Sequence, residues 1–363
     1  MDVLLIGSGV LPIPPPGWGA VEKAIDGLAR GLRESGIHVE VLNRTYSQHP
    51  RDEYRFALEV PDLLRERSYD VAHASTPVVG NALLLRGFSY VYTSHSRHWW
   101  GARSPTERLG FHLEKRACAG ARRVIALSSA VAERMSRVRP PTPSRNVRVI
   151  PNGVDTELFR PDWSSRTGRR ILGVGAIHPR KRWHLAVRVV REIPQAELVL
   201  VGPVQDPKYA RDLERWIGAP GRLTLTGEIP EADLALQFAR ADVYFHPSGS
   251  ELLSLAVLEA LSSALPVLGS DVLSPQVPVP GAGFLVPEPL DEGEKVRLWR
   301  ERLASILRDE PSRRAMGQAG RWHALENYSW PRVAQQVVEV YRETIAQSPS
   351  KPRLPPGSRP VLW

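Results

Sequence analysis

Cysteine and long apolar runs are almost missing from this sequence, and each shortage excludes a class of protein. The 363 residues contain one cysteine, Cys118, which excludes a disulfide framework and a thiolate zinc cluster. No apolar run approaches the roughly 18 residues that a membrane-spanning helix needs. The first apolar run begins at Val3 with no basic segment ahead of it, which argues against a secretory signal peptide. We therefore expect a cytoplasmic protein.

Lysine is also scarce, although the chain is basic. Of the 48 Lys and Arg residues only six are lysine, and the 39 Asp and Glu residues leave a formal charge of +9. The excess is local: residues 101–150 hold 11 basic and 3 acidic residues, a net of +8, whereas residues 201–300 hold 8 and 14, a net of −6. No nucleic-acid recognition motif accompanies the basic stretch. We interpret it as a surface for an anionic partner or a membrane, and nucleic acid is not expected.

Short apolar runs alternate with amphipathic segments along most of the chain. VLLIG at 3–7 is typical of a buried parallel strand, and residues 22–35 place Ile25, Leu28 and Leu32 on one helical face. Further strands are predicted at 39–43, 70–75, 90–94, 123–128, 170–176, 197–202, 223–227, 243–248 and 266–271. Strands that alternate with helices indicate an α/β fold with mostly parallel sheets.

A polar stretch near 150–168 separates two such halves. The predicted divisions are a first domain at 1–160, a second domain at 161–327, a helix at 328–346 and a Pro-rich flexible tail at 347–363. Pro331 in the first turn of that helix is a start signal.

Gly7-Ser8-Gly9 follows the first predicted strand and invites a dinucleotide-binding interpretation. The third glycine of that fingerprint would fall at Pro12, so a nicotinamide site is disfavoured. The loop continues to Gly19, where the next helix begins, and helix N-termini attract anions. Gly19 is therefore a candidate for contact with a phosphate or a sugar. The alternative is a stiff surface loop.

Residues 246–271 hold two glutamates eight residues apart, Glu251 and Glu259. Glu251 precedes a helix predicted to begin near Leu253 or Ser254, where backbone N–H groups are open to a phosphate or sugar oxygen. Glu259 lies inside that helix among leucines and alanines, and a buried carboxylate needs donors such as ribose hydroxyls. The alternative is a helix cap and a surface charge.

Three consecutive cations, Arg180, Lys181 and Arg182, follow the first strand of the second half. A doubly wound sheet binds ligands at the carboxyl ends of its strands, and a diphosphate would be a fitting partner for this charge. The alternative is a solvated basic turn.

Together these motifs resemble those of retaining glycosyltransferases of the two-Rossmann (GT-B) architecture, of the family 4 or group 1 type. The matching segments are WGAVE at 18–22, VIPNGVDTELFRP at 149–161, GAIHPRK at 175–181, SELLSLAVLEALSSALPV at 250–267 and YSWPRVAQQVVEVY at 328–341. The resemblance covers residues 1–346 and implies two Rossmann-like, doubly wound parallel-sheet domains that face each other across a cleft. The first domain would bind the acceptor and receive the terminal helix, and the second would bind the donor.

The implied activity is transfer of a hexose from a nucleotide-diphosphate sugar to a glycan, lipid or small molecule, with retention at the anomeric carbon. The implied catalytic residues are Glu251, which would contact the donor sugar, Lys181, which would neutralise the diphosphate, and His95, which would point to the donor sugar from the first domain. Glu259 would hold the ribose hydroxyls. The remaining implied donor-binding groups are Gly19, Arg180 and the backbone amides of Ser254 and Leu255.

No cofactor is implied beyond the donor itself, UDP- or GDP-linked. Because the sequence contains no Asp-x-Asp motif, no metal is expected, and cations with helix dipoles would stabilise the leaving diphosphate. Ala176 stands where the family has arginine, and Leu252-Leu253-Ser254 stands where it has Gly-Phe-Gly. These departures leave one alternative open, a nucleotide-sugar-binding protein without transfer activity. A sugar-nucleotide epimerase of the same architecture is a further alternative, disfavoured because the VIPNGVD and Glu-x7-Glu pair belongs to the transferases.

The acceptor is expected to bind the first domain near His98, Trp99 and Trp100, because indole rings stack on sugar faces. The alternatives are that Trp99 and Trp100 lie at a membrane interface or are buried. The next segment, 106–123, is predicted to be a helix with a rim of cations, Arg108, Lys115, Arg116, Arg122 and Arg123. Such a helix can lie on an anionic bilayer. The alternative is a core-facing helix with a solvated face.

Overall fold

Two parallel six-stranded sheets organise the chain. The structure, a computed structural model, describes residues 1–17, 19–47, 49, 51–95, 99, 104–138, 142, 146–251, 253–273, 275–278 and 281–347. The predicted acceptor residues His98 and Trp100 lie outside these ranges, as do Leu252 and residues 348–363 of the predicted tail.

The first sheet is built from the N-terminal part of the chain. Its strands are β1 (Asp2–Ile6), β2 (His38–Leu42), β3 (Val71–Ala74), β4 (Val91–Ser94), β5 (Arg123–Ala126) and β6 (Val147–Val149). The intervening helices are α1 (Ala20–Glu34), α2 (Asp52–Arg65), α3 (Pro77–Leu85), α4 (Pro105–Gly120) and α5 (Ser129–Arg137). The strand order is β2-β1-β3-β4-β5-β6, with parallel pairings such as Val3 opposite Val39 in β2 and Val71 in β3.

The second sheet follows the same plan. Its strands are β7 (Arg170–Val174), β8 (Glu197–Val201), β9 (Leu223–Gly227), β10 (Val243–His246), β11 (Val267–Ser270) and β12 (Gly283–Val286). The helices that the chain forms from β7 onward are α6 (Trp183–Arg191), α7 (Pro207–Ile217), α8 (Glu231–Arg240), α9 (Leu255–Ser262), α10 (Glu292–Arg308), α11 (Glu310–Tyr328) and α12 (Trp330–Ala346). The strand order is β12-β11-β10-β7-β8-β9, again parallel.

These sheets confirm the predicted α/β fold with two Rossmann-like halves. Central strands are continuously apolar because helices cover both faces of a parallel sheet, and the side chains of residues 3–6 are at most 2% exposed. The helices predicted at 22–35 and 328–346 are α1 and α12, each beginning two residues from the predicted start. The helix predicted to begin near Leu253 or Ser254 begins at Leu255.

The chain packs as two compact units, each with one sheet and each discontinuous in sequence. The first comprises Met1–Leu11, Leu32–Ile150 and the C-terminal residues from Ala334 onward. The second comprises Pro12–Gly31 and Pro151–Val333. The predicted domain limits of 1–160 and 161–327 stay predictions. In the structure, the loop after β1 and the first turns of α1 pack with the second unit.

Within the first unit, α12 is held by polar contacts to three strands. The Tyr341 hydroxyl lies 2.7 Å from Nδ1 of His73 on β3. The Glu343 carboxylate accepts hydrogen bonds from Arg123 on β5 at 3.1 Å and from Arg148 on β6 at 2.8 Å. The C-terminal half of α12 is therefore an integral layer of this unit.

The second sheet has a topological switch point between β7 and β10. From β7 the chain proceeds outward through β8 and β9 on one side, whereas β10, β11 and β12 lie on the other. The loops that leave β7 and β10 diverge at their carboxyl ends and form a crevice, which is where doubly wound sheets bind ligands. The motifs at 175–182 and 247–254 are these two loops.

Two arginines hold the C-terminal end of α9. Arg166 donates to the carbonyl oxygen of Ala264 at 2.9 Å and Arg321 donates to those of Ser262 and Phe159. The last carbonyls of a helix lack intrahelical partners and carry negative partial charge. These contacts therefore fix the helix that carries Glu259.

Candidate functional site

Glu251 anchors a chain of polar contacts at the switch point of the second sheet. Its Oε1 atom accepts a hydrogen bond from Lys181 Nζ at 2.6 Å and lies 2.8 Å from His246 Nε2. His246 Nδ1 lies 3.0 Å from the Tyr244 hydroxyl. Lys181 comes from the loop after β7, whereas His246 ends β10 and Glu251 follows it. The two strands that flank the switch point thus bring together the predicted residues Glu251 and Lys181.

The partners of His246 fix its protonation. Because the Glu251 carboxylate can only accept, His246 Nε2 carries the proton, and Nδ1 accepts from the Tyr244 hydroxyl. Burial lowers the pKa of His246, although Glu251 acts in the opposite direction, so the ring is neutral. Burial alone would raise the pKa of Glu251, but the His246 hydrogen bond and the Lys181 charge bring that pKa well below its ordinary value. Glu251 is therefore a carboxylate at physiological pH.

Glu259 is a buried acid of a different kind. It lies on α9 with 7% of its surface exposed. In the part of the chain that the structure describes, no group donates a hydrogen bond to its carboxylate. Burial raises its pKa to about 7, a shift that Lys23 opposes and Glu231 reinforces. Lys23 and Glu231 form an ion pair of 3.1 Å with each other. Since an ionised, unpaired carboxylate is costly to bury, ligand hydroxyls would relieve that cost.

The N-terminus of α9 lies between these two glutamates. Ser254 is its N-cap residue, and the Ser254 N–H donates to Oε1 of Gln276 at 3.0 Å. Among the described residues, no acceptor reaches the N–H groups of Leu255 and Ala256. Both residues are half-buried. Of the two predicted backbone donors, Leu255 thus has an open amide and the Ser254 amide is occupied.

The three cations of the β7 loop have different surroundings. Arg180 is exposed, and Lys181 is the partner of Glu251. Arg182 adopts φ +55°, a left-handed conformation that is rare for a residue with a side chain. Its guanidinium bonds Glu288 at 2.8 Å and lies so close to Gly249 that a Cβ there would meet it at 2.4 Å. Lys181 and Arg182 therefore both contact the loop after β10, Lys181 at Glu251 and Arg182 at Gly249. The role of Arg180 stays a prediction.

Gly19 has a conformation that requires glycine. Its φ of +148° lies in a region that side chains disfavour, and its carbonyl accepts the Lys23 N–H at 2.9 Å, which starts α1. The preceding Gly17 packs against Glu228, since a Cβ at Gly17 would meet Oε1 of that residue at 2.7 Å. The loop that holds Gly19 therefore packs closely within the second unit.

In the first unit, His95 directly follows β4. It is half-buried, and burial lowers its pKa to about 4, so the imidazole is neutral at physiological pH. Trp99 is 3% exposed; its indole N–H donates to Ser94 Oγ at 2.9 Å, and its ring packs edge-on against Phe111. Trp99 thus has an interior packing role, and its contact with an acceptor stays a prediction.

The predicted cationic helix at 106–123 is α4, which ends at Gly120. Arg108 and Arg116 are exposed on it, beside Leu109, which is 56% exposed. Arg123 was wrongly placed on this rim. It begins β5, is 6% exposed and pairs with Glu343, because the chain leaves the helix three residues earlier than predicted.

Sequence reasoning missed His246 and Gln276. His246 stands two residues after Tyr244 and therefore on the same face of β10. This spacing could have revealed the hydrogen-bonded chain from Tyr244 through His246 to Glu251. Gln276 lies 22 residues beyond Ser254, in an irregular segment between β11 and β12. No sequence pattern in this segment predicts the contact with Ser254.

Two family models match consecutive parts of the chain. The model "Glycosyltransferase Family 4" matches residues 21–158, and "Glycosyl transferases group 1" matches residues 155–323. Alpha-maltose-1-phosphate synthase of Mycobacterium tuberculosis is 30% identical over 298 residues, which cover 73% of this chain and 76% of that protein. The chain therefore belongs to the glycosyltransferase family that these two models describe.

Other family members support the same assignment. A MMP alpha-(1->4)-mannosyltransferase of Mycolicibacterium hassiacum is 29% identical over 342 residues, 86% of this chain and 80% of that one. The family match and these relatives show that the chain is an enzyme, a hexosyltransferase of the glycosyltransferase type. The second matched segment contains Lys181, His246, Glu251, Ser254 and Glu259, the first contains Lys23 and His95, and Gly19 precedes both.

Solved structures show that the fold is that of GT-B glycosyltransferases. Sucrose-phosphate synthase from Thermosynechococcus elongatus superposes with a TM-score of 0.81 at 23% identity, covering 96% of this chain and all of that one. Anabaena HepE, solved in complex with UDP-glucose, has a TM-score of 0.73 at 19% identity and covers 94% of this chain and all of that one.

Proposed function

We propose that this glycosyltransferase transfers a hexose from a nucleotide-diphosphate sugar with retention at the anomeric carbon and without a metal ion. The observation that carries the proposal is the pair of glutamates on either side of the α9 N-terminus. One is ionised and bound to Lys181, and the other is buried with no donor from the described residues. Such an arrangement offers separate places for a sugar, a diphosphate and a ribose.

In the proposed reaction, the bond between the anomeric carbon and the diphosphate oxygen breaks. The acceptor hydroxyl forms the new bond to that carbon, and its proton leaves with the diphosphate. Lys181 and the open amides of the first α9 turn would stabilise the negative charge that develops on the leaving oxygen. Because these groups are held before the donor arrives, little reorganisation is needed when the charge forms.

The other predicted residues take the roles that the family resemblance implies. Glu251 would accept hydroxyl protons of the donor sugar, while its bond to Lys181 keeps the ammonium group at the diphosphate. Glu259 would accept both ribose hydroxyls. Arg180 would add positive charge, and Gly19 would let the backbone approach the phosphates. His95, neutral because of its low pKa, would hydrogen-bond the donor sugar.

The names of the relatives support a phosphorylated acceptor. One relative is an alpha-maltose-1-phosphate synthase and another a D-inositol 3-phosphate glycosyltransferase, and both names contain a phosphorylated sugar or polyol. The net charge of +8 in residues 101–150 suits an anionic acceptor.

A donor screen tests the proposed function. We expect one of the UDP-, GDP- or ADP-hexoses to raise the melting temperature by several degrees, because a ligand that binds only the folded state stabilises it. The same donor should give a glycosylated product with the α or β configuration of the donor retained, and EDTA should not change the rate. Binding without product or hydrolysis would favour the nucleotide-sugar-binding alternative, and inversion or EDTA sensitivity would contradict the corresponding part of the proposal.

We also propose that the exposed face of α4 contacts an anionic membrane. No helix among the described residues combines the length and the apolar composition needed to span a bilayer. The face includes Leu109, 56% exposed, beside the exposed cations Arg108 and Arg116, which is the pairing of apolar and basic side chains that interfacial helices use.

Co-sedimentation with vesicles tests this contact. The protein should pellet with vesicles that contain phosphatidylglycerol at low salt, and 0.5 M salt or neutral vesicles should release it, because ionic strength screens surface charge. The double variant Arg108→Ala/Arg116→Ala should bind about 30-fold more weakly, since each of the two basic residues contributes roughly 1 kcal/mol. Arg211→Ala on α7 is the control. Failure to pellet at low salt would contradict the proposal.

A further inference from the structure

Gln276 makes a two-point contact with the residue that starts α9. Its side-chain Oε1 accepts the Ser254 N–H at 3.0 Å, and its Nε2 donates to the Ser254 carbonyl oxygen at 2.9 Å. Gln276 is 2% exposed and Ser254 is 8% exposed, so water cannot readily replace either bond. The partners also fix which end of the carboxamide is oxygen, because the N–H requires an acceptor and the carbonyl requires a donor.

This contact acts together with the first bonds of α9 on the direction of the next backbone N–H, because the Ser254 carbonyl also accepts the Val257 and Leu258 N–H groups at 3.2 and 3.3 Å. In a trans peptide the carbonyl of one residue and the N–H of the following residue point in opposite directions. Since Gln276 holds the Ser254 carbonyl toward itself, the Leu255 N–H points away from Gln276. The Ser254 side chain makes no capping hydrogen bond, so Gln276, and not an N-cap hydroxyl, supplements the bonds that α9 itself makes to this peptide.

The Leu255 N–H is one of two open donors in this turn. Within the described residues no acceptor reaches it or the Ala256 N–H, and both residues are half-buried. Helix N-terminal N–H groups bind phosphate oxygens when they converge on one point. The turn also follows directly on the loop of Glu251, whose carboxylate is held by Lys181 and His246.

We propose that Gln276 is a positioning residue of the donor site, which holds the N-cap residue of α9 in place so that the open Leu255 amide faces the diphosphate, while it occupies the Ser254 amide. The inference rests on the proposed function and changes one part of it, because it removes the Ser254 N–H from the predicted donor-binding groups. Gln276 itself does not touch the donor. Its side chain acts through the Ser254–Leu255 peptide.

Gln276→Glu offers a test in which pH reverses the effect of the substitution. An ionised carboxylate can accept the Ser254 N–H but repels the Ser254 carbonyl, so the first turn of α9 should move away from residue 276. A protonated carboxyl has one donor and one acceptor, as the carboxamide has, and should restore the contact. Burial favours the protonated form, so the comparison extends from pH 9 to pH 5.5. Gln276→Met can make neither bond at any pH.

The measurement is the affinity of each variant for UDP, GDP and ADP by titration calorimetry, divided by that of the wild type at the same pH. For the nucleotide that the wild type binds, we expect Gln276→Glu to bind at least about tenfold more weakly at pH 9 and within about threefold of the wild type at pH 5.5. Gln276→Met should be at least tenfold weaker throughout. Gln318→Glu, the same change at an exposed position of α11, is the control and should match the wild type.

The outcomes separate this inference from the proposed function. If the wild type binds one nucleotide and the affinity of Gln276→Glu does not depend on pH relative to the wild type, Gln276 has only a structural role and the inference fails alone. If the wild type binds none of the three, the proposed function fails and the inference fails with it. If Gln276→Glu unfolds at pH 9, its nucleotide affinity is still measured at lower pH, where it should be higher than that of Gln276→Met.

Discussion

Replacement of Lys181 by alanine is expected to lower kcat/KM for sugar transfer by at least about 100-fold, mainly through kcat. The ammonium group lies 2.6 Å from Glu251 and its side chain is 18% exposed, so it acts in surroundings that screen charge less than water does. Its contribution should be larger when the diphosphate leaves than when the donor binds, because negative charge increases in that step. Steady-state kinetics with the donor found in the screen measures both parameters.

A second variant separates this catalytic role from a structural one. Lys181→Ala leaves the Glu251 carboxylate without its cation, and breaking a buried ion pair can cost about 3–5 kcal/mol of stability. The double variant Lys181→Ala/Glu251→Gln removes that unpaired charge and should regain much of the melting temperature but no activity. Lys208→Ala, at an exposed position on α7, is the matched control. If the double variant recovers activity along with stability, neither Lys181 nor Glu251 has the catalytic role proposed here, and the pair serves only to stabilise the fold.

Much of the architecture could be predicted from the sequence because local patterns determine it. A continuously apolar run such as residues 3–6 has few alternatives to a buried parallel strand, and the switch point follows from the order of strands and helices together with their handedness. Glu251 and Lys181 were recognisable because both stand in loops at strand ends. The charged residues of such loops can be recognised in the sequence, although the residues that they contact cannot.

The contacts that complete the site depend on distant residues, and sequence patterns do not reveal them. Gln276 bonds Ser254, which lies 22 residues earlier in the chain, and Arg321 on α11 bonds the last residue of α9. An arginine or a glutamine in a polar segment is compatible with many partners, so tertiary packing alone selects one. The misplacement of Arg123 has the same origin, because a helix boundary shifted by three residues moves a side chain from a surface rim to a buried ion pair.

Replacement of Glu259 by glutamine should have opposite effects on stability and on donor binding. In the folded protein the pKa of Glu259 is about 7, against an ordinary value of 4.5, so the folded state holds this proton more tightly than the unfolded state does. The wild type therefore gains stability as the pH falls from about 8 toward 4.5 and carries the full penalty above pH 7. Glutamine carries no such penalty, and Glu259→Gln should be more stable by about 3 kcal/mol at pH 8 and little changed at pH 4.5. Urea unfolding at the two pH values measures this difference.

Donor binding should change in the other direction. Two ribose hydroxyls that donate to an ionised carboxylate contribute roughly 1.5–3 kcal/mol each, so Glu259→Gln should weaken nucleotide binding by at least about 100-fold. Because bound hydroxyls favour the ionised form, the wild type should release close to one proton per nucleotide bound near pH 6 and almost none at pH 8.5. Calorimetry in buffers of different ionisation enthalpy detects this proton, which the variant should not release. Glu326→Gln, on the exposed face of α11, is the control for both experiments. A variant that is more stable yet binds the nucleotide as the wild type does would show that Glu259 is a strained structural acid, and the ribose would then need another partner.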